Sequence, residues 1–280
     1  MHVIGNHIKT AVLLGALMGL FLWAGYAIGG TQAMVPALIL GGLMNLGAWF
    51  FSDKIAIKAM QGREVTAQNA PELYGIVDEL RRRGGLPMPK VYICPHDAPN
   101  AFATGRNPRH AAVAVTQGIM RLLDREELEG VIAHELAHIK NRDTLISCIA
   151  ATVAGVLAMV AQWFFLFGGG RREGSHPLLG FLTVIVAAFG AALIKAAISS
   201  SREFIADADG AAIAGTPNGL AGALAKLDAM SRRIPLEQPN PAQNNLFIVE
   251  PLAGGRTLMN LFATHPPTEQ RIAALRRLER

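Results

Sequence analysis

The sequence predicts an α+β chain, predominantly helical, in which integral membrane helices carry a domain built on a small sheet. Three observations predict it. Hydrophobic residues make up 51% of the 280, and they gather into long runs instead of spreading through the chain. Between the runs lie short segments of strand character. Finally, Val131-Ile132-Ala133-His134-Glu135-Leu136-Ala137-His138 places a His-Glu-x-x-His pattern in strongly helical surroundings.

Composition narrows the partners. A net charge of +5 is a mild basic excess that suits anchoring beside anionic lipid. No basic-plus-aromatic pattern for nucleic acid is present, so no nucleic-acid partner is expected. Cys94 and Cys148 are far apart without C-x-x-C spacing, which argues against a disulfide framework or a thiolate metal site.

The first apolar run extends from Thr10 to about Gly29, the second from Met34 to Phe51. Each can cross about 30 Å of hydrocarbon at about 1.5 Å per residue. Gly29-Gly30-Thr31-Gln32 between them reads as a tight helical hairpin, so residues 1–52 form an N-terminal transmembrane hairpin, not a cleaved leader. Lys54, Lys58, Arg63 and Arg81 to Arg83 follow it, while the connecting loop has no Lys or Arg. The positive-inside rule then puts residues 53–144 in the cytoplasm.

Within 53–144, Pro71 opens an amphipathic helix with Leu73, Ile76, Val77 and Leu80 on one face and Gly84-Gly85 at its end. Lys90 to Cys94, Asn100 to Thr104 and Ala111 to Val115 are candidate strands. Asp124 to Glu127 opens the motif helix as a capping box. Residues 145–198 hold two more apolar runs, Leu145 to Phe167 and Leu178 to about Ile198, forming a transmembrane or re-entrant hairpin. Residues 199–280 turn polar again: a helix before Pro217-Asn218-Gly219, another over Leu220 to Met230, and a closing one over Thr268 to Leu278.

On a helix, His134 and His138 lie about 40° apart around the axis and can reach one metal ion. Glu135 falls beside that ion, where it can act as a base on water. The pattern of a glycine and a third histidine at three-residue steps is absent, because Asn141 and Thr144 stand there. A downstream carboxylate is the other common third ligand. The first acid after the second hairpin is Glu203, with Asp207 four residues on. One of the pair can ligate while the other holds a ligand imidazole. Glu173 competes only if the topology fails.

The order of two spans, His134-Glu135-x-x-His138, two further runs and Glu203-Phe204-x-Ala206-Asp207 resembles the gluzincin-like HtpX-type membrane zinc metallopeptidases. Asn100-Ala101-Phe102-Ala103-Thr104-Gly105 and Thr264-His265-Pro266-Pro267 also look like elements of that family. The resemblance covers essentially the whole chain. It implies a zincin-like fold, one Zn2+ per chain on His134, His138 and Glu203, and Asp207 behind them. It further implies a multi-pass endopeptidase of the bacterial inner membrane with its active site in the cytoplasm. Such an enzyme would act on misfolded or damaged membrane proteins under stress. The CAAX prenyl protease branch shares the metal motifs but is longer, and this short chain fits it poorly. A rival from another class is a silent membrane scaffold with structural zinc, against which Glu135 argues.

In the expected mechanism, Glu135 moves the proton from water to the leaving amine. His265 is the candidate oxyanion donor, by resemblance and by chemistry, the alternative being a turn residue that caps the closing helix before Pro266-Pro267. Arg271 either supports the same oxyanion or pairs with an acid on the surface, the second being favoured. Asn100, Ala101, Phe102 and Ala103 form either an edge strand for an extended polypeptide substrate or an ordinary core strand.

Overall fold

A computed structural model describes residues 2–144, 200–231 and 266–279. Its centre is a four-stranded sheet made of β1 (Arg63–Val65), β2 (Lys90–Cys94), β3 (Ala101–Asn107) and β4 (His110–Thr116), in spatial order β1-β2-β4-β3. β2 and β4 run parallel, while β1 and β3 pair antiparallel on the flanks.

The two-residue alternation of strands divides the side chains between two layers. Val91, Val113, Val115, Ala101 and Ala103 join the main core. Tyr92, Cys94, Phe102, Ala112 and Ala114 face the other way, onto Ala56, Ile57 and Met60 at the end of α1 (His2–Ala59). The register agrees, with Val91 beside Val113 and Phe102 beside Ala114.

On the main-core side lie α2 (Pro71–Arg83), the short α3 (Gln117–Leu122) and α4 (Arg125–Asn141). α2 buries the four apolar positions expected of it. The capping box of α4 is fully formed: Glu127 donates its N–H to Asp124 Oδ1 at 3.0 Å, and Asp124 N–H reaches Glu127 Oε2 at 3.0 Å. Lys226 then bonds Glu127 Oε2 at 2.6 Å. That residue belongs to α6 (Asn218–Ser231), which follows α5 (Ser200–Ala214); α7 (Thr268–Arg277) closes the bundle.

α1 is assigned as helix throughout its 58 residues, yet it folds back on itself. Gly30 has φ +62°, a conformation open to glycine without strain. A methyl group on Gly41 would sit 3.0 Å from Phe21 Cγ and 3.1 Å from Met18 Sδ. In a straight helix, positions 20 apart would be separated by about 30 Å. The chain therefore turns back near Gly30, within the Gly29 to Gln32 stretch. Counting the described residues alone, no helix is long and apolar enough to cross a membrane; side chains at many positions of α1 lie outside the description. The expected second hairpin falls in 145–199, outside the described residues.

β1 and α3 were not expected from the sequence. Arg63-Glu64-Val65 is too short and polar to show alternation, and its pairing partner, Val91 to Ile93, lies far along the chain. α3 is a six-residue turn of helix capped by Thr116, whose hydroxyl accepts from Ile119 N–H at 3.2 Å.

Candidate metal centre

α4 carries both motif histidines on one side. His134 is 1% exposed and His138 half-buried, with their rings edge-on at 4.6 Å and 86°. Their Nε2 atoms are 3.1 Å apart. α5 brings in Glu203, with Oε2 3.7 Å from His134 Nε2 and Oε1 3.6 Å from His138 Nε2. One ligand atom from each of the three lies within 4.8 Å of the others.

Donor chemistry shows that this cluster fits a metal. Each ring turns its Nδ1 to a carboxylate: His134 to Asp207 Oδ1 at 3.0 Å, His138 to Asp143 Oδ2 at 3.2 Å. The Asp143 hydrogen bond places the His138 proton on Nδ1, and the nearby Asp207 carboxylate favours the same tautomer in His134. Both Nε2 atoms then present lone pairs to each other and to a carboxylate, an arrangement that a shared cation relieves. Zinc bonds of about 2.0–2.1 Å in a tetrahedron put ligand atoms about 3.3 Å apart, close to the separations seen. His134, His138 and Glu203 are the residues that would hold it.

Without a metal, His138 attracts a proton instead. Burial works against its charged form, but the Asp143 hydrogen bond and the charges of Glu203, Glu135 and Asp143 outweigh burial and push it up to about 9. Glu135 is buried beside the two rings. Burial raises its carboxyl above the usual range, Glu203 adds to the rise, and the neighbouring histidines and a hydrogen bond from Ala103 N–H oppose it. A carboxyl raised in this way holds a proton more readily than an exposed glutamate does, as a group that takes and returns a proton requires.

Asp207 is held by two partners. Arg271 of α7 donates Nε to Oδ2 at 2.9 Å and Nη2 to Oδ1 at 2.7 Å, a bidentate pair. Burial would raise the Asp207 carboxyl, but Arg271 and His134 bring it down to about 2. Arg271 Nη1 also lies 3.6 Å from Glu203 Oε2. The arginine does pair with an acid, but in the interior and not on the surface: it is 1% exposed.

α5 approaches α4 closely at Gly210. A methyl group there would meet His134 Cα and N, both at 2.9 Å, so only glycine lets Glu203 and Asp207 reach the rings. We expect Gly210→Ala to cost about 1–3 kcal/mol by overpacking and to weaken zinc binding. Thermal melting and metal titration read the two effects.

The edge strand also lies at the centre. Asn100 is buried, its carbonyl accepting from Thr116 N–H at 2.8 Å and its N–H donating to Thr116 Oγ1 at 2.9 Å. Ala101 and Ala103 face α4, whereas the Phe102 side chain packs on the far face of the sheet. His265 lies outside the described residues. Asp143 was missed as a partner of His138. The available signal was an acid just past a helix end that breaks off at Asn141-Arg142, where a C-terminal turn can fold back on the last turn of helix.

The chain is similar to known proteins. The family model described as Peptidase family M48 matches residues 67–279. A protein named Protease HtpX homolog from Desulforapulum autotrophicum is 53% identical over 279 residues, covering 97% of this chain and 90% of its own. One of the same name from Gemmatimonas aurantiaca is 51% identical, covering 98% and 99%. Among solved structures, the crystal structure of S. mikatae Ste24p matches with a TM-score of 0.55 at 18% identity. That match covers 97% of this chain and 65% of the longer Ste24p chain, a likeness of fold.

Proposed function

Because the chain belongs to peptidase family M48, whose members are zinc-dependent hydrolases, we propose that it is a multi-pass endopeptidase of the bacterial inner membrane. It cleaves misfolded or damaged membrane proteins from the cytoplasmic side, as part of protein quality control under stress. The observation that carries this reading is the convergence of His134, His138 and Glu203, with Glu135 buried beside them and bonded to the edge strand.

A zinc ion bound there would act as a Lewis acid on the scissile carbonyl and on the attacking water. Glu135 takes a proton from that water and returns it to the leaving amine. Asp207 and Asp143 hold the imidazoles, and Arg271 holds Asp207 in turn. The open side of β3 accepts the substrate backbone as an added strand. His265 supplies the remaining donor for the oxyanion.

Several features support placement in the membrane. α1 exposes Trp23, Val35, Ile39, Leu43, Leu46 and Phe51, an apolar surface suited to lipid. Lys54 and Lys58 follow on the side where the positive-inside rule puts the cytoplasm. Residues 1–52 and 145–198 are then the hydrophobic hairpins, and 53–144 with 199–280 form the peptidase domain.

Glu203→Ala tests the centre. We expect zinc and cleavage of casein or a membrane protein to be lost together; stoichiometric zinc in a folded variant would remove Glu203 from the ligand set. Topology has a separate test. A cysteine placed beside Arg171 is expected to react with an impermeant reagent from the extracytoplasmic side, and reactivity from the cytoplasm alone would contradict a full crossing.

A further inference from the structure

Two consecutive residues just beyond α4 each bond to a different half of the centre. α4 ends on Arg142 in the left-handed region, φ 58° and ψ 35°. Asp143 N–H returns to the His138 carbonyl at 3.0 Å. This turn swings Asp143 alongside its own helix, so that its Oδ2 meets His138 Nδ1 at 3.2 Å. The next side chain, Thr144, donates its hydroxyl to the Gly105 carbonyl at 2.8 Å. Both residues are buried, at 4% exposure.

The Gly105 carbonyl belongs to the open edge of β3. Backbone groups alternate along a strand. Asn100 turns its N–H and carbonyl to β4, so Ala101, Ala103 and Gly105 turn theirs outward. Two contacts agree with this: Ala103 N–H donates to Glu135, and the Gly105 carbonyl accepts from Thr144. The register with β4 also slips between Gly105 and Asn107. The edge is thus finished at Gly105 by a bulge and by a hydroxyl in the place where an added strand would put its N–H.

We propose that the Asp143-Thr144 turn is a positioning element for both reactants. Asp143 fixes the His138 ring so that Nε2 faces Glu203, and Thr144 closes the substrate-pairing edge at Gly105. That leaves the outward N–H and carbonyl of Ala101 and the carbonyl of Ala103 to hold the substrate backbone, the Ala103 N–H being bonded to Glu135. The turn therefore limits how many substrate residues gain backbone pairing on one side of the scissile bond. The Thr144 half rests on the reading of β3 as the substrate edge.

The test uses the full-length chain in detergent with zinc, each variant first checked for native circular dichroism. Chelator competition reads Asp143 without any substrate. Asp143→Ala is expected to lower zinc affinity about 10–100-fold, and Asp143→Asn, which can still accept from Nδ1–H, by markedly less. Affinity unchanged in Asp143→Ala, or equal losses in the two variants, would overturn that half.

For Thr144, peptides lengthened one residue at a time at either end are compared. Thr144→Ala is expected to lower KM about 2–10-fold, the worth of one hydrogen bond, only for peptides long enough to reach Gly105. Zinc affinity stays unchanged, and Thr144→Ser behaves as wild type. A uniform change at every length, or none, would show a merely structural hydroxyl and overturn the proposal. Ala101→Pro separates this from failure of the edge reading itself. It removes an outward N–H and should raise KM at every length. If it does not, the edge reading falls and takes the Thr144 half with it, while the Asp143 result stands alone.

Discussion

Glu135→Gln is expected to leave zinc bound and to slow peptide cleavage by about 10²–10⁴-fold. Glutamine keeps the shape of the side chain and can still accept from Ala103 N–H, so the fold has no reason to change. It cannot take a proton from water or deliver one to an amine. The rings of His134 and His138 keep their Asp207 and Asp143 contacts, and Glu203 stays beside both Nε2 atoms. Metal analysis and single-substrate kinetics on the same preparation check the split. Full activity would move the proton transfer elsewhere; loss of zinc would make Glu135 part of the metal shell.

Arg271→Ala is expected to have the largest effect on stability, about 3–5 kcal/mol, the cost of leaving one partner of a buried ion pair alone. Asp207 would keep its buried charge with His134 as its remaining partner among the described residues, and Glu203 would lose the cation 3.6 Å away. Arg271→Lys should recover only part of the loss, since an ammonium cannot reproduce the bidentate fork. The pair also sets a pH window. The Asp207 carboxyl lies lower in the folded chain, at about 2, than its ordinary value of 3.8. Its contribution is therefore complete above about pH 4 and is lost as the pH falls toward 2. Melting curves of wild type and Arg271→Ala should converge over that interval; curves that stay parallel below it would assign the stability to something other than this pair.

These two residues also show what a linear reading reaches. Glu135 was legible because its neighbours at one-turn spacing, His134 and His138, define a helix face by arithmetic alone. Glu203 and Asp207 followed from the same spacing, once the hydrophobic runs had been used to decide which acids share a side with the motif. Arg271 was recognised as a candidate but not as a buried one. Its partner lies 64 residues away, and nothing in Thr268 to Arg277 marks which arginine turns inward. Asp143 was hidden differently: its contact depends on a left-handed backbone at Arg142, a residue type that rarely announces that conformation. In the sheet, β2 and β4 were visible as apolar strands, while β1 is held by long-range pairing that its own three residues do not encode.

The arginine that steadies Asp207 sits on α7, 64 residues further along the chain. During synthesis, the motif helix, Asp143 and Glu203 are all made before it. At about 5–20 residues per second, the interval from Asp143 to Arg271 is on the order of ten seconds. In its later part, Glu203 and Asp207 have been made but still lack the Arg271 counter-charge. A growing chain therefore carries the parts of the metal centre for some time before the residue that braces Asp207 exists to lock them together.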